Sequence, residues 1–150
     1  MTWLAGLIWL ATALTLPAAT GRVIKVLPEF MDSKGQTTLS PSLYERDAYQ
    51  AQLRLHPLKR SGMKFFVQWK TKDYAWSPVK IRLELRGRAE GNLPKQLVVE
   101  KPVQPGGRFS HWTEFAITGG DFATLGQVTA WRATLWEGEQ LLSEQKSYLW

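Results

Sequence analysis

Ser110 and His111, together with Asp121 or Glu114, are the residues whose types come nearest to a nucleophilic catalytic triad. A triad needs the serine hydroxyl within hydrogen-bond distance of an imidazole that a carboxylate orients from its other side. Ser110 and His111 are consecutive in a stretch with a strand pattern, so their side chains should point to opposite faces of a sheet. We therefore expect no active triad in this chain.

Metal and cofactor chemistry has few candidate ligands. The sequence has no Cys, and its only histidines are His56 and His111. Thiol nucleophiles, redox-active cysteine pairs and iron–sulfur clusters are thereby excluded, and a zinc site made of protein ligands alone is not expected. The glycine-rich residues 105–107 and 119–121 lack the lysine of a phosphate-binding loop and are interpreted as turns. We expect no cofactor.

Carboxylate pairs for glycoside hydrolysis are numerous but not distinctive. A glycosidase needs two carboxyl groups at a fixed separation across a cleft. Most acidic residues in the second half of the chain fall in turns or at positions that the strand pattern directs toward solvent. We therefore expect a protein that is not an enzyme, with a small hydrolase as the weakest alternative. The carboxylates considered are Glu84, Glu100, Glu114, Asp121, Glu137, Glu139 and Glu144.

Tryptophan is the most distinctive residue type in the sequence, with eight copies, of which the six after residue 21 are more than one sandwich core needs. Tyr74 and Trp76 lie in a segment with the composition of a turn, and Trp112 and Trp136 fall on strand faces opposite those assigned to the core. Exposed aromatic rings stack on sugars or anchor protein interfaces. The alternative is that Trp112 and Trp136 pack beneath a helix or against each other. We predict a binding surface that includes Tyr74, Trp76, Trp112 and Trp136.

One helix is predicted to position these residues, over residues 42–55. Ser42 is an N-cap candidate, and Glu45 three residues later completes the pattern of a capping box. Pro57 ends the helix, because the residue before a proline is disfavoured in the helical region.

The remaining segments alternate apolar and polar residues with the period of a β-strand. Ile81, Leu83 and Leu85 alternate with charged residues, as expected for a strand with one buried face. Turns rich in glycine and proline separate about seven such segments. The sequence predicts an all-β fold, a two-sheet antiparallel Greek-key sandwich with one short inserted helix. Trp69 or Trp131 is its expected core tryptophan.

The register of the last hairpin has two interpretations. A tight turn at residues 137–138 would place Trp131 beside Glu144. A bulge at Gly138 would instead place Trp131 on one face with Leu141 and Ser143. We favour the bulge, because a slip of one residue exchanges the faces of a whole strand.

The strand count, length and turn placement over residues 22–150 resemble those of immunoglobulin-like and fibronectin type III domains of exported bacterial proteins. The resemblance is architectural, since the cysteine pair of antibody domains is absent and the predicted helix is an insertion. The segments RVIKVLPEF, LSPSLYERDAYQ and TAWRATLWEGEQLLSEQKSYLW also resemble small uncharacterised exported bacterial proteins. Neither resemblance implies an activity or a site residue.

Residues 1–21 carry no charged side chain and contain an apolar run followed by Pro17 and small residues. This pattern is typical of a secretory signal peptide, with cleavage after Gly21 placing Ala19 three positions before the cut. A retained N-terminal anchor is the alternative, although the apolar run is shorter than the roughly 20 residues that cross a bilayer. We expect a domain over residues 22–150, located in the periplasm, the cell envelope or the extracellular space. No membrane span is expected once the signal is removed.

The chain is basic: 19 Lys and Arg residues against 13 Asp and Glu residues give it a net charge of +6. In a cytosolic protein this excess of positive charge would suggest a nucleic-acid partner, but an exported protein encounters other anionic partners. We expect a binding or accessory domain whose partner is a protein, with a carbohydrate-binding function as the alternative and no nucleic-acid partner. The sequence leaves the oligomeric state open.

Overall fold

The computed structural model of the chain describes residues 20–72, 77–107 and 109–150. Within these ranges it contains seven strands in two antiparallel sheets, which confirms the predicted two-sheet architecture. The three-stranded sheet has the order β1-β2-β5 and the four-stranded sheet the order β4-β3-β6-β7. The elements are β1 (Gly21–Met31), α1 (Leu43–Leu55), β2 (Gly62–Thr71), β3 (Val79–Arg88), β4 (Pro94–Val103), β5 (His111–Thr118), α2 (Gly119–Leu125), β6 (Gln127–Glu137) and β7 (Gln140–Lys146).

The core lies between the inward faces of the two sheets. On β2 the buried positions alternate along the strand, and Phe65 and Val67 are fully enclosed. Trp69 is 2% exposed, and its indole Nε1 donates to Oγ1 of Thr113 at 2.9 Å, so its assignment as a core tryptophan is confirmed. Trp131 is only partly buried and packs against this core.

The prediction of a turn at residues 119–121 is wrong, because α2 begins there. Two consecutive glycines disfavour a helix locally, but the short helix is held by contact with β3. A Cβ atom at Gly87 would overlap the carbonyl oxygen of Leu125, so the glycine is what lets α2 approach the sheet. Gly126, with a φ of +68°, then ends the helix in a conformation that glycine adopts easily.

The predicted helix at residues 42–55 is confirmed as α1, with Ser42 at the N-cap position. The expected capping box is not formed, since the Ser42 side chain makes no capping hydrogen bond. The helix is held instead by Gln50, whose Nε2 donates to the carbonyl of Phe30 at 2.9 Å and to that of Thr37 at 2.7 Å. Oε1 of Gln50 accepts from the Phe30 amide at 2.8 Å. Gln50 thus supplies β1 with the hydrogen bonds that a neighbouring strand would make.

Arg60 fixes the other end of α1. Its Nε donates to the carbonyl oxygen of Leu53 at 2.6 Å, and its Nη2 donates to that of Arg54. The guanidinium carbon lies 4.1 Å from the ring centroid of Phe30 on β1. Burial lowers the pKa of Arg60 below its usual value. These contacts join the end of α1 to Phe30, the β1 residue to which Gln50 is also hydrogen-bonded.

The closing hairpin contains a bulge, but not at Gly138. Leu135 pairs with Ser143, whereas Trp136 pairs with Leu141, so the extra residue lies between those two partners on β7. Trp131 therefore shares the inward face with Ser143, as the favoured interpretation predicted, but Leu141 lies on the outward face with Trp136, so that part of the interpretation is wrong. Gln145, which pairs with the buried Ala133, reaches across to β1, where its Nε2 donates to the carbonyl of Ile24 at 3.1 Å.

Candidate functional site

Of the four residues of the predicted aromatic surface, the structure describes Trp112 and Trp136. Tyr74 and Trp76 lie outside the described residues. Trp112 lies on β5 and Trp136 on β6, so they belong to the outer faces of different sheets. The structure therefore does not bring Trp112 and Trp136 together.

Trp136 is engaged within the four-stranded sheet. Its indole Nε1 donates to Oγ1 of Thr134 at 2.8 Å, and its ring lies 5.4 Å from the guanidinium carbon of Arg82. Arg82 also donates to Glu100 at 2.6 Å, and hydrogen bonds from Arg82 and Lys80 hold the pKa of that carboxyl below its usual value. A cation–π contact of this kind attracts the aromatic ring to a cation of its own sheet. Trp136 thus packs on an arginine rather than beneath a helix or against Trp112.

Trp150 forms a second contact of the same type on this face. Its ring lies 4.0 Å from the guanidinium carbon of Arg86 and 4.9 Å from that of Arg132. Arg132 donates to Glu84 at 2.7 Å, a hydrogen bond that raises the pKa of the arginine. The aromatic and charged side chains on the outer face of the four-stranded sheet therefore largely contact one another.

Trp112 is in a different position, at the edge of a groove. The side chain is 50% exposed, and the groove beside it has a volume of about 350 Å³. Its apolar walls are Leu27 and Phe66 on the three-stranded sheet and Leu43 at the start of α1. We call this region the Trp112 groove.

Polar groups surround the apolar part of the Trp112 groove. Glu29 on β1 and Arg46 on α1 both line it, and Oε1 of Glu29 lies 3.6 Å from Nε of Arg46. Residues Thr37, Thr38 and Ser40, from the loop before α1, complete the rim. A concavity with mainly apolar walls and a few polar groups is typical of binding sites for other molecules.

The strand register shows which other residues lie on the outer face of the three-stranded sheet, beside the Trp112 groove. Residues directly opposite each other on neighbouring strands point to the same side. Phe66 pairs with Leu27 and Glu114, and Gln68 pairs with Lys25 and Trp112. Farther along β2, Lys70 pairs with Arg22. The outer face of the three-stranded sheet therefore runs from the Trp112 groove to a cluster of basic residues.

That cluster, Arg22, Lys25 and Lys70, is called the basic end below. A pocket of about 310 Å³ lies there, lined by Arg22, Lys70, Lys72 and residues 20–21. The acidic side chains on the same outer face are already paired, because Glu114 lies 3.0 Å from Nζ of Lys64 and Glu29 contacts Arg46. The described part of the chain thus provides no ion pair for Arg22, Lys25 or Lys70.

The residues considered for catalysis have separate partners. Oγ of Ser110 accepts from Gln68 at 2.9 Å, whereas Nε2 of His111 lies 3.0 Å from the carbonyl oxygen of Gly106. The His111 ring also lies against Trp69, with 5.1 Å between ring centroids. Asp121 is in the first turn of α2, at the opposite end of β5 from His111. The structure does not assemble these side chains into a triad.

The described ranges contain no group of three or more His, Cys, Asp or Glu side chains that could hold a metal ion. Neither described helix has the length and hydropathy needed to cross a membrane.

The sequence interpretation missed the groove because it selected aromatic residues one at a time. Leu27, Phe66, Leu43 and the pair Glu29 and Arg46 come from three elements that only the fold brings together. One signal was available: Phe65 and Phe66 are consecutive in a strand, so one of the two rings must face outward.

No protein-family model matches the chain, and no curated protein is similar enough to it to count as a relative.

Proposed function

We propose that this protein is an exported, non-enzymatic binding domain that recognises its partner through the Trp112 groove. The observation that carries the proposal is the exposure of Trp112 and Leu43, at 50% and 66%, on the two sides of one groove. Large apolar side chains that line a concavity are stabilised when a partner covers them. Tryptophan is also among the residues that contribute most to binding energy at interfaces.

The contrast with the other tryptophans supports this choice of surface. Trp69 is in the core, and Trp136 and Trp150 lie against arginine side chains of their own sheet. Trp112 is the described tryptophan whose ring is half exposed beside an apolar groove. We place the recognition surface there and not on the four-stranded sheet.

The non-enzymatic character is supported by the arrangement of the polar side chains. Glu29 and Arg46 neutralise each other, and Ser110 and His111 bond to separate groups. A nucleophile with an adjacent base, which acyl-transfer chemistry needs, is not found among the described residues.

We propose an immunoglobulin-like Greek-key sandwich in which β1, β2 and β5 correspond to strands A, B and E, and β3, β6 and β7 to C, F and G. The position of β4 beside β3 supports this assignment, because an added C′ strand occupies that place in variable-type domains. Sandwiches of this class serve as scaffolds for recognition.

The partner we propose is a protein, in the periplasm, the cell envelope or outside the cell. A carbohydrate is the second candidate, favoured by the position of Trp112 beside the Glu29 and Arg46 pair and the hydroxyls of Thr38 and Ser40. An aromatic ring next to hydrogen-bonding groups suits a sugar, which presents an apolar face and polar edges.

The test compares the wild-type protein with Trp112→Ala and with the control Tyr148→Ala. Tyr148 is 101% exposed and follows β7 of the other sheet. Each protein is used to capture partners from native envelope extract and to probe a polysaccharide array. We expect Trp112→Ala to lose a partner that Tyr148→Ala retains, at unchanged stability. Equal binding by both variants would contradict the proposal.

A further inference from the structure

We infer that the partner presents an acidic, extended protein segment with an apolar anchor, which lies along the outer face of the three-stranded sheet. The anchor enters the Trp112 groove and the acidic residues meet the basic end. This inference rests on the proposed function and specifies the chemistry of its partner.

The first support is the charge of the face. Its acidic residues Glu29 and Glu114 are already in ion pairs, whereas Arg22, Lys25 and Lys70 have none within the described ranges. Arg22 and Lys70 also lie directly opposite each other, an arrangement of like charges that destabilises a sheet. Acidic groups of a partner would relieve this repulsion and would complement the charge of the surface.

The second support is the distance between the two parts of the face. Lys70 and Phe66 are on one strand, four residues apart, which corresponds to about 14 Å at the rise of an extended chain. Both side chains point outward, because the buried Phe65, Val67 and Trp69 alternate with them. An extended segment would therefore place its acidic residues about four positions from its apolar anchor.

The third support favours protein over glycan. The walls of the groove are the aliphatic Leu27 and Leu43 and the rings of Phe66 and Trp112. A concave apolar pocket of this kind accepts a hydrophobic side chain, whereas a sugar ring stacks on a flat, open aromatic face. The basic end has exposed Arg22 and Lys25, which suit carboxylates.

The experiment selects phage-displayed random linear peptides on the purified mature protein and measures the affinity of the tightest synthetic peptide. We expect enriched sequences with an apolar residue and two or more Asp or Glu about four positions away. The charge variant combines Arg22→Gln, Lys25→Gln and Lys70→Gln. The control variant combines Arg54→Gln, Lys59→Gln and Lys95→Gln, which removes the same charge from exposed positions elsewhere.

At low salt we expect the charge variant to weaken peptide binding by about tenfold and the control variant to leave it unchanged. Salt should weaken wild-type binding and have little effect on that of the charge variant. Trp112→Ala should weaken binding in both backgrounds.

Other outcomes separate the two proposals. Peptides that lack acidic residues, or whose affinity the charge variant does not change, overturn this inference; if Trp112→Ala still abolishes their binding, the proposed function stands. Binding that Trp112→Ala does not affect overturns the proposed function itself. If no peptide is enriched, the inference fails. If polygalacturonate then binds and the charge variant loses it, the partner is an anionic glycan.

Discussion

The phenol hydroxyl of Tyr49 on α1 donates a 2.6 Å hydrogen bond to Oδ2 of Asp32, which follows β1. Oδ1 of the same carboxylate accepts from the backbone amides of Lys34 at 2.8 Å and Gln36 at 2.9 Å. Asp32 therefore closes the turn after β1 and ties it to α1. Because Leu43 is at the start of α1, this contact helps to position one wall of the Trp112 groove.

The Asp32 and Tyr49 pair predicts a specific dependence of stability on pH. The hydrogen bond from Tyr49 is the main cause that lowers the pKa of Asp32 below its ordinary value of 3.8. The folded protein thus favours the carboxylate, and this stabilisation is present above pH 3.8 and lost as the pH falls through the lower folded value. Urea unfolding at a series of pH values should show that the free energy of unfolding of the wild type declines as the pH falls. The decline should be weaker in Asp32→Asn.

Removal of the phenol hydroxyl tests the same contact at neutral pH. Tyr49→Phe should lower the free energy of unfolding by about 1 to 3 kcal/mol, because a hydrogen bond to a charged group is lost. Tyr44→Phe is the control, since Tyr44 on the same helix is 83% exposed. Equal unfolding free energies for the two variants would show that the contact does not stabilise the fold.

Gln50 is predicted to be essential for the attachment of α1 to β1. Gln50→Ala would leave the backbone amide and carbonyl of Phe30 without their side-chain partner. We expect a loss of about 1 to 3 kcal/mol in the free energy of unfolding. Gln52→Ala, at an exposed position of the same helix, should change it by less than about 0.5 kcal/mol. Guanidinium denaturation followed by circular dichroism measures both values.

Trp69 and Trp112 should behave in opposite ways on substitution. Trp69→Ala removes an indole that is 2% exposed and should cost about 3 to 5 kcal/mol. Trp112→Ala should leave stability nearly unchanged but reduce the fraction of fluorescence that acrylamide quenches, because its ring is 50% exposed. An unchanged quenched fraction in Trp112→Ala would contradict the exposed position of this indole.

Gly87 is predicted to tolerate no side chain. Gly87→Ala would place a methyl group against the carbonyl oxygen and the side chain of Leu125, so α2 would have to move away from β3. We expect a cost of about 1 to 3 kcal/mol from overpacking. Gly120→Ala is the matched control within α2, because a Cβ atom there would meet no atom within 4 Å. Thermal unfolding should separate the two variants clearly.

The signal peptide remains a prediction that mass spectrometry of the exported protein can test. The structure shows that Gly21 already belongs to β1, where it pairs with Thr71. We expect an N-terminus between Thr20 and Ile24, close to the first paired residue of the domain. An intact Met1 in the envelope fraction would instead favour the retained anchor.

Strand alternation was the part of the fold that could be predicted reliably from sequence. A two-residue period marks which side chains of a strand are buried, and this requires only local information. The same pattern identified Trp69 as a core candidate and placed Trp112 and Trp136 on outward faces. It could not show that the two lie on different sheets, because sheet membership depends on which strands pair over long sequence separations.

Contacts between distant segments decided the remaining features. The helix α2 forms despite two glycines because Gly87, far away in sequence, makes room for it. Trp136 is engaged because the register of β3 and β6 brings it beside Arg82.

The sequence by itself determined the periodic burial of the strands, a helix near residues 42–55 and the basic charge, since these depend on residue type and local spacing. The tertiary structure alone decided that Leu27, Phe66, Trp112 and Leu43 line one groove and that Arg22 lies beside Lys70. Those neighbours come from different strands and a helix. Their proximity results from strand register and from the Gln50 and Asp32 contacts that hold α1 in place.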